Sequence, residues 1–324
     1  MMGKTLLIYT EGGVRLGLGN VYRCLSLARA VRESRPDISV SFVSSSPENV
    51  ISIITSNGFA ALRTDSILPS IIEAEPDCLL IDFLDIPEDF VRSVKDRGIK
   101  VVIVGNSNEA NRYADLVVNA IIGTGLRNRE FTDSFGTRNL WGPEYLVLRE
   151  EFERLRDTYG HTGNLHDIVL LFGGSDQSDF TRRVAAAITG RGYRISIIAG
   201  GAYGHFAELE AEAGKCGDIT LYHNISNVSD IYRNADFLFT SPGTALFEGL
   251  CIGIPAVSFY QNQSQIDVFG NFFTCNRFTD GTDPERMMKE VYGNYEAFKA
   301  ERDILNVGGG RSRIISTITD LIGN

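Results

Sequence analysis

The sequence predicts an α/β fold made of two doubly wound, Rossmann-like domains, and three observations support that prediction. Short apolar runs alternate with segments of helical periodicity. The runs are continuously apolar, as strands buried on both faces of a parallel sheet require. The alternation stops over 121–159 and then begins again. We therefore predict an N-terminal domain at 1–145 and a C-terminal domain at 146–324, with the active site in the cleft between them at the carboxyl ends of the strands.

The elements of the two domains follow from these runs. In the first domain the predicted strands are at 5–9, 38–43, 78–82, 100–105 and 116–119, and the helices at 20–34, 48–57, 67–74 and 87–97. In the second the strands are at 167–172, 193–199, 219–222, 235–240 and 255–259, and the helices at 178–190, 204–214, 226–234, 243–252, 264–275 and 284–302. A last helix is predicted at 311–322, and packing of this helix against the first domain stays open.

The bulk properties exclude several classes of protein. The formal net charge of −10 argues against binding to nucleic acid or to anionic lipid, because either needs a basic face. Five dispersed cysteines without a framework are typical of reduced thiols in the cytoplasm. No apolar run is long enough for a transmembrane segment. Since the histidines and acidic residues lack metal-site spacing, we expect no metal and no cofactor.

The first loop, TEGGVRLGLGN, joins the first strand to a helix that is predicted to start at Asn20. Gly17 and Gly19 allow the backbone to approach a ligand closely, and the free N–H groups of the helix start suit an anion. Glu11 lies where catalytic groups of such sheets occur, at the end of the strand. Two plainer interpretations stay open: Asn20 as an ordinary N-cap and Glu11 as a solvated loop carboxylate.

The second candidate site is TSPGTALFEGLCIGIP, at 240–255. Ser241, Gly243 and Thr244 open a helix whose N-terminus suits a diphosphate. Glu248 follows one turn later on the same face and is able to accept both hydroxyls of a ribose. The alternative is an ordinary capped helix whose glutamate faces solvent. FGGSD is the first strand-to-helix turn of the second domain, and we expect it to contribute substrate-binding residues: Gly174, Ser175 and Asp176.

Six segments taken together resemble a known family. They occur in order over residues 1–263: GLGNVYRCLSLA, IDF, ADLVVNA, GPEYLVLREEF, FGGSD and SPGTALFEGLCIGIPAVSFYQNQ. The chain is similar to the UDP-sugar hydrolases of the pseudaminic acid pathway and to the spore-coat polysaccharide group beside them. These are relatives of the two-domain glycosyltransferases of peptidoglycan synthesis, which have the GT-B fold.

The resemblance implies a role for each part of the second domain. It places UDP there, with Gly243 and Thr244 at the diphosphate and Glu248 at the ribose. The segment near the uracil would be Asn224, Ile225 and Ser226. The segment near the sugar would be Gln261, Asn262 and Gln263.

The sequence departs from this family at two positions. The family's GxGH histidine, which serves as the base that activates water, is Asn20 here, and the family's acidic pair reads Gly105–Asn106. We keep Asn106 as a substrate-binding candidate. An asparagine amide cannot accept a proton near neutral pH, and losing a general base costs about 10²–10⁴-fold in rate. Glu11 is then the best remaining candidate for the base.

Three interpretations of the function stay open. The first is a GT-B-type glycosyltransferase that uses a UDP-sugar in the synthesis of surface polysaccharide or nonulosonic acid, with a glycan or sugar as acceptor. The second is a hydrolase that cleaves the anomeric C1–O bond to give UDP and free sugar. The third is a catalytically inactive homologue that binds a UDP-sugar.

Overall fold

The computed structural model describes residues 3–13, 16, 18–83, 85–106, 108–121, 124–225, 227–270 and 274–323. The chain divides into two compact units. Unit 1 contains Met1–Val147 and Gly308–Asn324, and unit 2 contains Leu148–Val307. The predicted division after residue 145 placed residues 308–324 in the second domain, whereas in the structure they belong to unit 1.

Strands and helices alternate through most of both units. The strands are β1 Lys4–Thr10, β2 Ile38–Ser44, β3 Ala60–Arg63, β4 Cys78–Asp82, β5 Lys100–Val104, β6 Leu116–Asn119, β7 Arg129–Thr132, β8 Arg138–Trp141, β9 Asp167–Leu171, β10 Arg194–Ala199, β11 Ile219–His223, β12 Phe237–Thr240, β13 Ala256–Phe259 and β14 Cys275–Asn276. The α-helices are α1 Gly19–Ser34, α2 Glu48–Ser56, α3 Ile67–Ala74, α4 Glu88–Lys95, α5 Glu150–Glu153, α6 Phe180–Ile188, α7 Phe206–Ala213, α8 Val228–Tyr232, α9 Thr244–Ile252, α10 Gln263–Phe269, α11 Pro284–Gly293, α12 Tyr295–Leu305 and α13 Gly310–Gly323.

Each unit is built on its own sheet. Among the described residues of unit 1, eight strands pair in the order β3-β2-β1-β4-β5-β6-β8-β7, all parallel except β7, which runs antiparallel to β8. In the described part of unit 2, six parallel strands follow the order β11-β10-β9-β12-β13-β14. In each sheet the first strand of the unit, β1 or β9, lies in the interior: the next strands in the chain add on one side of it and the later strands on the other. This is the arrangement of a doubly wound fold, and such folds bind ligands where the strand order reverses.

The alternation of side chains along β1 explains why its apolar run is continuous. Leu6 and Ile8 pack into the core cluster that includes residues of α1, α2 and α13. Leu7 points to the opposite face, in the cluster that includes residues of α3 and α4. Because both faces of the sheet are covered, every second residue of the strand enters a different core.

The structure corrects several predicted elements. The irregular segment 121–159 contains β7 and β8, which the sequence pattern missed because the four residues of β7 are mostly exposed and include two charges. Edge strand β3 was missed for the same lack of a buried run. The predicted helix 264–275 ends at Phe269 as α10, and the predicted helix 284–302 is broken into α11 and α12 around Asn294.

Helix α13 is attached to unit 1 by a close backbone approach. A Cβ atom on Gly310 would lie 2.3 Å from the carbonyl oxygen of Leu146, so glycine alone fits at this position. The guanidinium of Arg313 donates to the carbonyl oxygen of Glu144 at 2.7 Å. Ile314 and Ile318 are fully buried in the unit 1 core.

Candidate functional site

The carboxyl edge of the unit 2 sheet carries a cavity of about 680 Å³. It is lined by the loops that follow β9, β12 and β13, together with the first turns of α9 and the segment before α5. The predicted site residues that it brings together are Gly174, Ser175, Asp176, Ser241, Gly243, Thr244, Glu248, Gln261 and Asn262. This volume falls in the range of about 300–1,000 Å³ that small-molecule sites occupy.

Helix α9 begins in the wall of this cavity. Thr244 is its first residue, and Gly243 before it makes no side-chain capping hydrogen bond. The N–H groups of the first turn of a helix have no partner within the helix. The wall therefore offers backbone donors and the positive end of a helix dipole, which together suit an anion.

Glu248 lies one turn further along α9 and is only 2% exposed. Its two carboxylate oxygens accept from Arg149, Oε1 from Nε at 2.8 Å and Oε2 from Nη2 at 3.0 Å. The interpretation of Glu248 as a solvent-facing residue is therefore wrong. Burial raises the pKa of the Glu248 carboxyl above its ordinary value, and the Arg149 guanidinium opposes that shift. Each oxygen keeps a further lone pair for a ligand hydroxyl.

The sequence pattern missed Arg149, which also lines the cavity. Its guanidinium lies 4.7 Å from the centroid of the Phe152 ring, so the side chain is held on two sides. A buried glutamate needs a cation or several donors, and Arg149 stands in the GPEYLVLREEF segment that the family resemblance had singled out. The need of a buried Glu248 for a cation was the sequence signal that could have pointed to Arg149.

Gln261 lines the cavity and joins its loops through the side-chain amide, while its place near the sugar stays a prediction. Its Nε2 donates to Asp176 Oδ1 at 2.7 Å and to Ser241 Oγ at 3.0 Å, and its Oε1 accepts from Ser178 N at 3.1 Å. Asp176 also accepts from the backbone N–H groups of Phe180 and Thr181, so that it caps the start of α6. Both residues shape the cavity wall.

The neighbouring candidates separate into two groups. Asn262 lines the cavity and caps α10, accepting from Gln265 N at 3.0 Å. Gln263 donates to Asp267 on the exposed side of α10 and is absent from the described lining of the cavity. Its place beside the sugar stays a prediction.

The predicted uracil segment lies elsewhere in unit 2. Among the described residues that line the cavity, neither Asn224 nor Ile225 occurs. Asn224 follows β11 and contacts Gly201, and Ile225 lines a separate cavity of about 290 Å³. The reason is topological, because β11 is the edge strand of the sheet, two places away from β9. Ser226 lies outside the described residues.

In unit 1, Glu11 is buried and fully engaged. Its Oε1 accepts from the N–H and hydroxyl of Ser45, both at 2.8 Å, and its Oε2 accepts from the hydroxyls of Ser44 and Ser46. The interpretation as a solvated carboxylate is wrong, and four donors leave it poorly suited to take a proton from a substrate. Glu11 ties the end of β1 to the end of β2.

Asn20 does not cap its helix. Helix α1 begins at Gly19, Leu18 occupies the N-cap position, and no side chain caps this end. Asn20 Oδ1 instead accepts from Arg23 Nη2 at 2.9 Å. The N-cap interpretation is therefore wrong, and Asn20 belongs to a side-chain cluster. Gly17 lies outside the described residues.

Arg23 and Asp82 complete that cluster, and neither was predicted as a site residue. Arg23 Nε and Nη2 each donate to Asp82 at 2.6 Å. Asp82 is 1% exposed at the end of β4, where it is the register partner of Thr10 on β1. Burial raises the pKa of the Asp82 carboxyl, and Arg23 opposes that shift in part. The sequence signal that could have pointed to Arg23 was its three-residue spacing from Asn20, which places both side chains on one helix face.

Asn106 is buried in a network of amides after β5. Its Nδ2 donates to Asn108 and Asn111, and its backbone oxygen accepts from the side chains of Asn111 and Asn119. At 2% exposure this side chain maintains the loop, and its role in substrate binding stays a prediction.

No family model matches the chain. It is 34% identical over 327 residues to the uncharacterized protein MJ1062 of Methanocaldococcus jannaschii, covering 97% of this chain and 66% of that protein. It is 24% identical over 270 residues to the spore coat polysaccharide biosynthesis protein SpsG of Bacillus subtilis, covering 80% of this chain and 78% of SpsG. The chain thus spans just under two thirds of the length of the archaeal relative.

Solved glycosyltransferase structures match over the whole chain. MurG of Acinetobacter baumannii has a TM-score of 0.61 at 13% identity, covering 98% of this chain and 99% of MurG. UGT2 of Phytolacca americana, complexed with UDP-2-fluoro-glucose and pterostilbene, has a TM-score of 0.67 at 10% identity and covers 99% and 100% of the two chains. At these identities the likeness concerns the fold.

Two further observations concern the described residues. None of their helices combines the length and apolar character needed to cross a bilayer. They contain no group of three or more His, Cys, Asp or Glu side chains placed to hold a metal ion. The predicted fold class is confirmed: this chain has the GT-B fold of two Rossmann-like units and is a distant relative of the spore coat polysaccharide biosynthesis protein SpsG.

Proposed function

We propose that this chain is a glycosyltransferase that takes a UDP-sugar as donor and acts in the synthesis of a surface polysaccharide. The observation that carries the proposal is the unit 2 cavity, in which the open N-terminus of α9 and the buried carboxylate of Glu248 lie one helical turn apart. The nucleotide sugar is the substrate, and the proposal needs no resident cofactor.

The two features of the cavity fit the two polar parts of a nucleoside diphosphate. The first-turn N–H groups of α9, beside Thr244, would hold the diphosphate. The remaining lone pairs of Glu248 would accept the ribose hydroxyls, with Arg149 holding the carboxylate in place. Because a neutral Glu248 would itself be a donor, we expect the carboxylate paired with Arg149 to be the form that binds.

The choice of transfer over hydrolysis rests on unit 1. The hydrolase interpretation assigns the removal of a proton from water to the residue at position 20, and the amide of Asn20 cannot do so. The carboxylate of Glu11, the other candidate, is occupied by four hydrogen bonds. In transfer, a hydroxyl oxygen of the acceptor bonds to the anomeric carbon while the C1–O bond breaks and its electron pair leaves with UDP. The proton of the acceptor hydroxyl passes to a phosphate oxygen of the departing UDP. We assign the nucleotide to unit 2 and the acceptor to unit 1.

A thermal-shift panel with UDP, UMP, CMP, GDP and ADP tests the nucleotide site first. A ligand at 100 times its dissociation constant stabilises the fold that binds it by about 2.7 kcal/mol, which raises the melting temperature by several degrees. We expect UDP to give the largest shift. If no nucleotide shifts the melting temperature, the proposal is wrong.

A pair of matched substitutions then locates the site. Glu248→Gln should weaken UDP binding at least tenfold, because the amide leaves Arg149 without its carboxylate partner. Glu212→Gln is the control, since Glu212 forms a comparable bidentate pair with Arg182 on the exposed surface of the same unit. UDP release that requires an acceptor would support transfer, whereas the same rate without an acceptor would support hydrolysis.

A further inference from the structure

We infer that Arg23 is a positioning residue that holds the amide of Asn20 as a hydrogen-bond donor, so that position 20 recognises an oxygen atom of the ligand in unit 1. The identity of that ligand as the acceptor rests on the proposed function. The orientation of the amide does not, because it follows from the side-chain cluster alone.

Arg23 is itself immobilised. Its guanidinium makes two hydrogen bonds of 2.6 Å to Asp82, which is buried at the end of a central strand. A bidentate pair of this kind fixes the plane of the guanidinium as well as its position. Arg23 therefore approaches Asn20 from one defined direction.

The guanidinium of Arg23 determines which end of the Asn20 amide it contacts. Arginine has five N–H donors and no acceptor, so it can contact only the oxygen of an asparagine amide. The 2.9 Å contact from Arg23 Nη2 to Asn20 Oδ1 has that polarity. Within the described part of the chain, Asn20 Nδ2 has no hydrogen-bond partner, and Asn20 is partly exposed.

The free end of the Asn20 amide limits which ligand group it can bind. With Oδ1 occupied, Asn20 offers the two N–H donors of Nδ2, and these require a lone pair on the ligand. Asp82 balances the charge of Arg23, so the recognition at position 20 is by a neutral donor. The group recognised is a hydroxyl or carbonyl oxygen, and a hydroxyl that accepts from Nδ2 has its proton free to leave in another direction.

The orientation is tested without any substrate by NMR relaxation of asparagine side-chain amides. Arg23→Lys retains the charge beside Asp82, but a single ammonium cannot reproduce the fork that reaches both Asp82 and Asn20. We expect the Asn20 amide to be rigid in the wild type and to become mobile in Arg23→Lys. Arg29→Lys is the control, because Arg29 donates to the amide oxygen of Asn57 from the same helix. An Asn20 amide that stays equally rigid in Arg23→Lys would overturn the inference.

The donor role is tested by UDP release from UDP-N-acetylglucosamine with N-acetylglucosamine as acceptor probe. A carboxylate at position 20 has only lone pairs to offer, so Asn20→Asp should be slower than Asn20→Ala, by tenfold or more. Asn57→Asp makes the same change beside Arg29 and should match the wild type. An Asn20→Asp rate at or above that of the wild type would contradict a donor role.

Failure of this inference is distinguishable from failure of the proposed function. If the wild type neither binds UDP nor releases it from the probe, the proposed function fails, and the amide relaxation measurement still decides the orientation of Asn20. If the wild type binds UDP and turns the probe over, both measurements apply to the inference, and UDP affinity should be unchanged in the Arg23 and Asn20 variants.

Discussion

Glu11 occupies a position where catalytic groups lie in many doubly wound sheets, yet its surroundings give it a different role. Each of its oxygens receives two hydrogen bonds from the Ser44–Ser46 segment. Ser46 Oγ in turn accepts from Gly12 N at 2.9 Å, which extends the network into the first loop. At the scale of single residues, the location of a side chain therefore does not determine its chemistry, because the number of donors around it decides whether it is free to react.

This role predicts the effect of Glu11→Gln. A glutamine has one acceptor oxygen, and its NH2 group would face hydroxyl donors, so we expect the variant to lose about 1–3 kcal/mol of unfolding free energy. Urea denaturation measures that loss. UDP release per folded molecule should stay within a few-fold of the wild type. A fall of about 10²–10⁴-fold with unchanged stability would restore Glu11 as the base.

Gln261 predicts a second effect at this scale. In Gln261→Leu, Asp176 Oδ1 loses one donor and Ser241 Oγ loses another, since both are bonded to Gln261 Nε2. We expect UDP affinity, measured by calorimetry, to fall about tenfold, because the loops that carry Asp176 and Ser241 into the cavity wall are no longer tied together through residue 261. Gln263→Leu is the matched control on the exposed side of α10. Equal affinities in the two variants would contradict the role assigned to Gln261.

At the scale of elements, the cavity depends on how closely two loops approach each other. A Cβ atom on Gly200, after β10, would lie 2.4 Å from the carbonyl oxygen of Gly174, after β9. Ala202 N also donates to this oxygen, at 3.0 Å. The loop that supplies Gly174 and Ser175 to the cavity is therefore supported from behind by the next loop of the sheet.

Gly200→Ala should displace that support. Since the atoms it would meet are backbone atoms, the Gly174 loop has to move, and we expect UDP affinity to fall by tenfold or more with only a modest change in melting temperature. Gly204→Ala is the control, because a Cβ atom there meets nothing within 4 Å. Calorimetric titration with UDP compares them, and an unchanged affinity for Gly200→Ala would show that the Gly174 loop does not contribute to binding.

At the scale of the whole molecule, the two ends of the chain belong to the same unit. Helix α13 contributes Ile314, Ile315, Ile318 and Ile322 to the core that also holds residues of β1 and α1. A change close to the carboxyl terminus is therefore expected to act on the amino-terminal part of the protein.

Ile318→Ala tests this arrangement. The side chain is fully buried, and truncating a buried isoleucine costs about 2–5 kcal/mol. Hydrogen exchange should show lost protection in peptides from β1 and α1, far away in the sequence. Ile304→Ala, at a position on α12 that is 72% exposed, should leave exchange unchanged. Loss of protection confined to α13 would contradict its place in the unit 1 core.

The sequence was sufficient for the class of fold and for naming nine of the residues that line the unit 2 cavity. Buried parallel strands have to be apolar on both faces, and helix starts after glycine turns are local features, so the run pattern located the central strands and the α9 turn. The sequence pattern missed β3 and β7, which lie at the two edges of the unit 1 sheet and are stabilised by pairing with one neighbouring strand. Their short, exposed segments carry no periodic signal.

What the sequence by itself determined is the doubly wound pattern of the two units, the glycine turns that open their helices, and the presence of polar residues at the ends of strands. Only the tertiary structure decided which of those polar residues are available to a ligand. Glu11 and Gln261 are engaged by groups from other loops and Asn106 by asparagines of its own loop, whereas Glu248 is held by Arg149 in a cavity wall and Asn20 by Arg23. The physical reason is that the partners of Glu11, Gln261 and Glu248 are far away in the chain, and even the nearby pair of Asn20 and Arg23 is fixed by the distant Asp82, so the hydrogen bonds at a side chain are a property of the folded molecule.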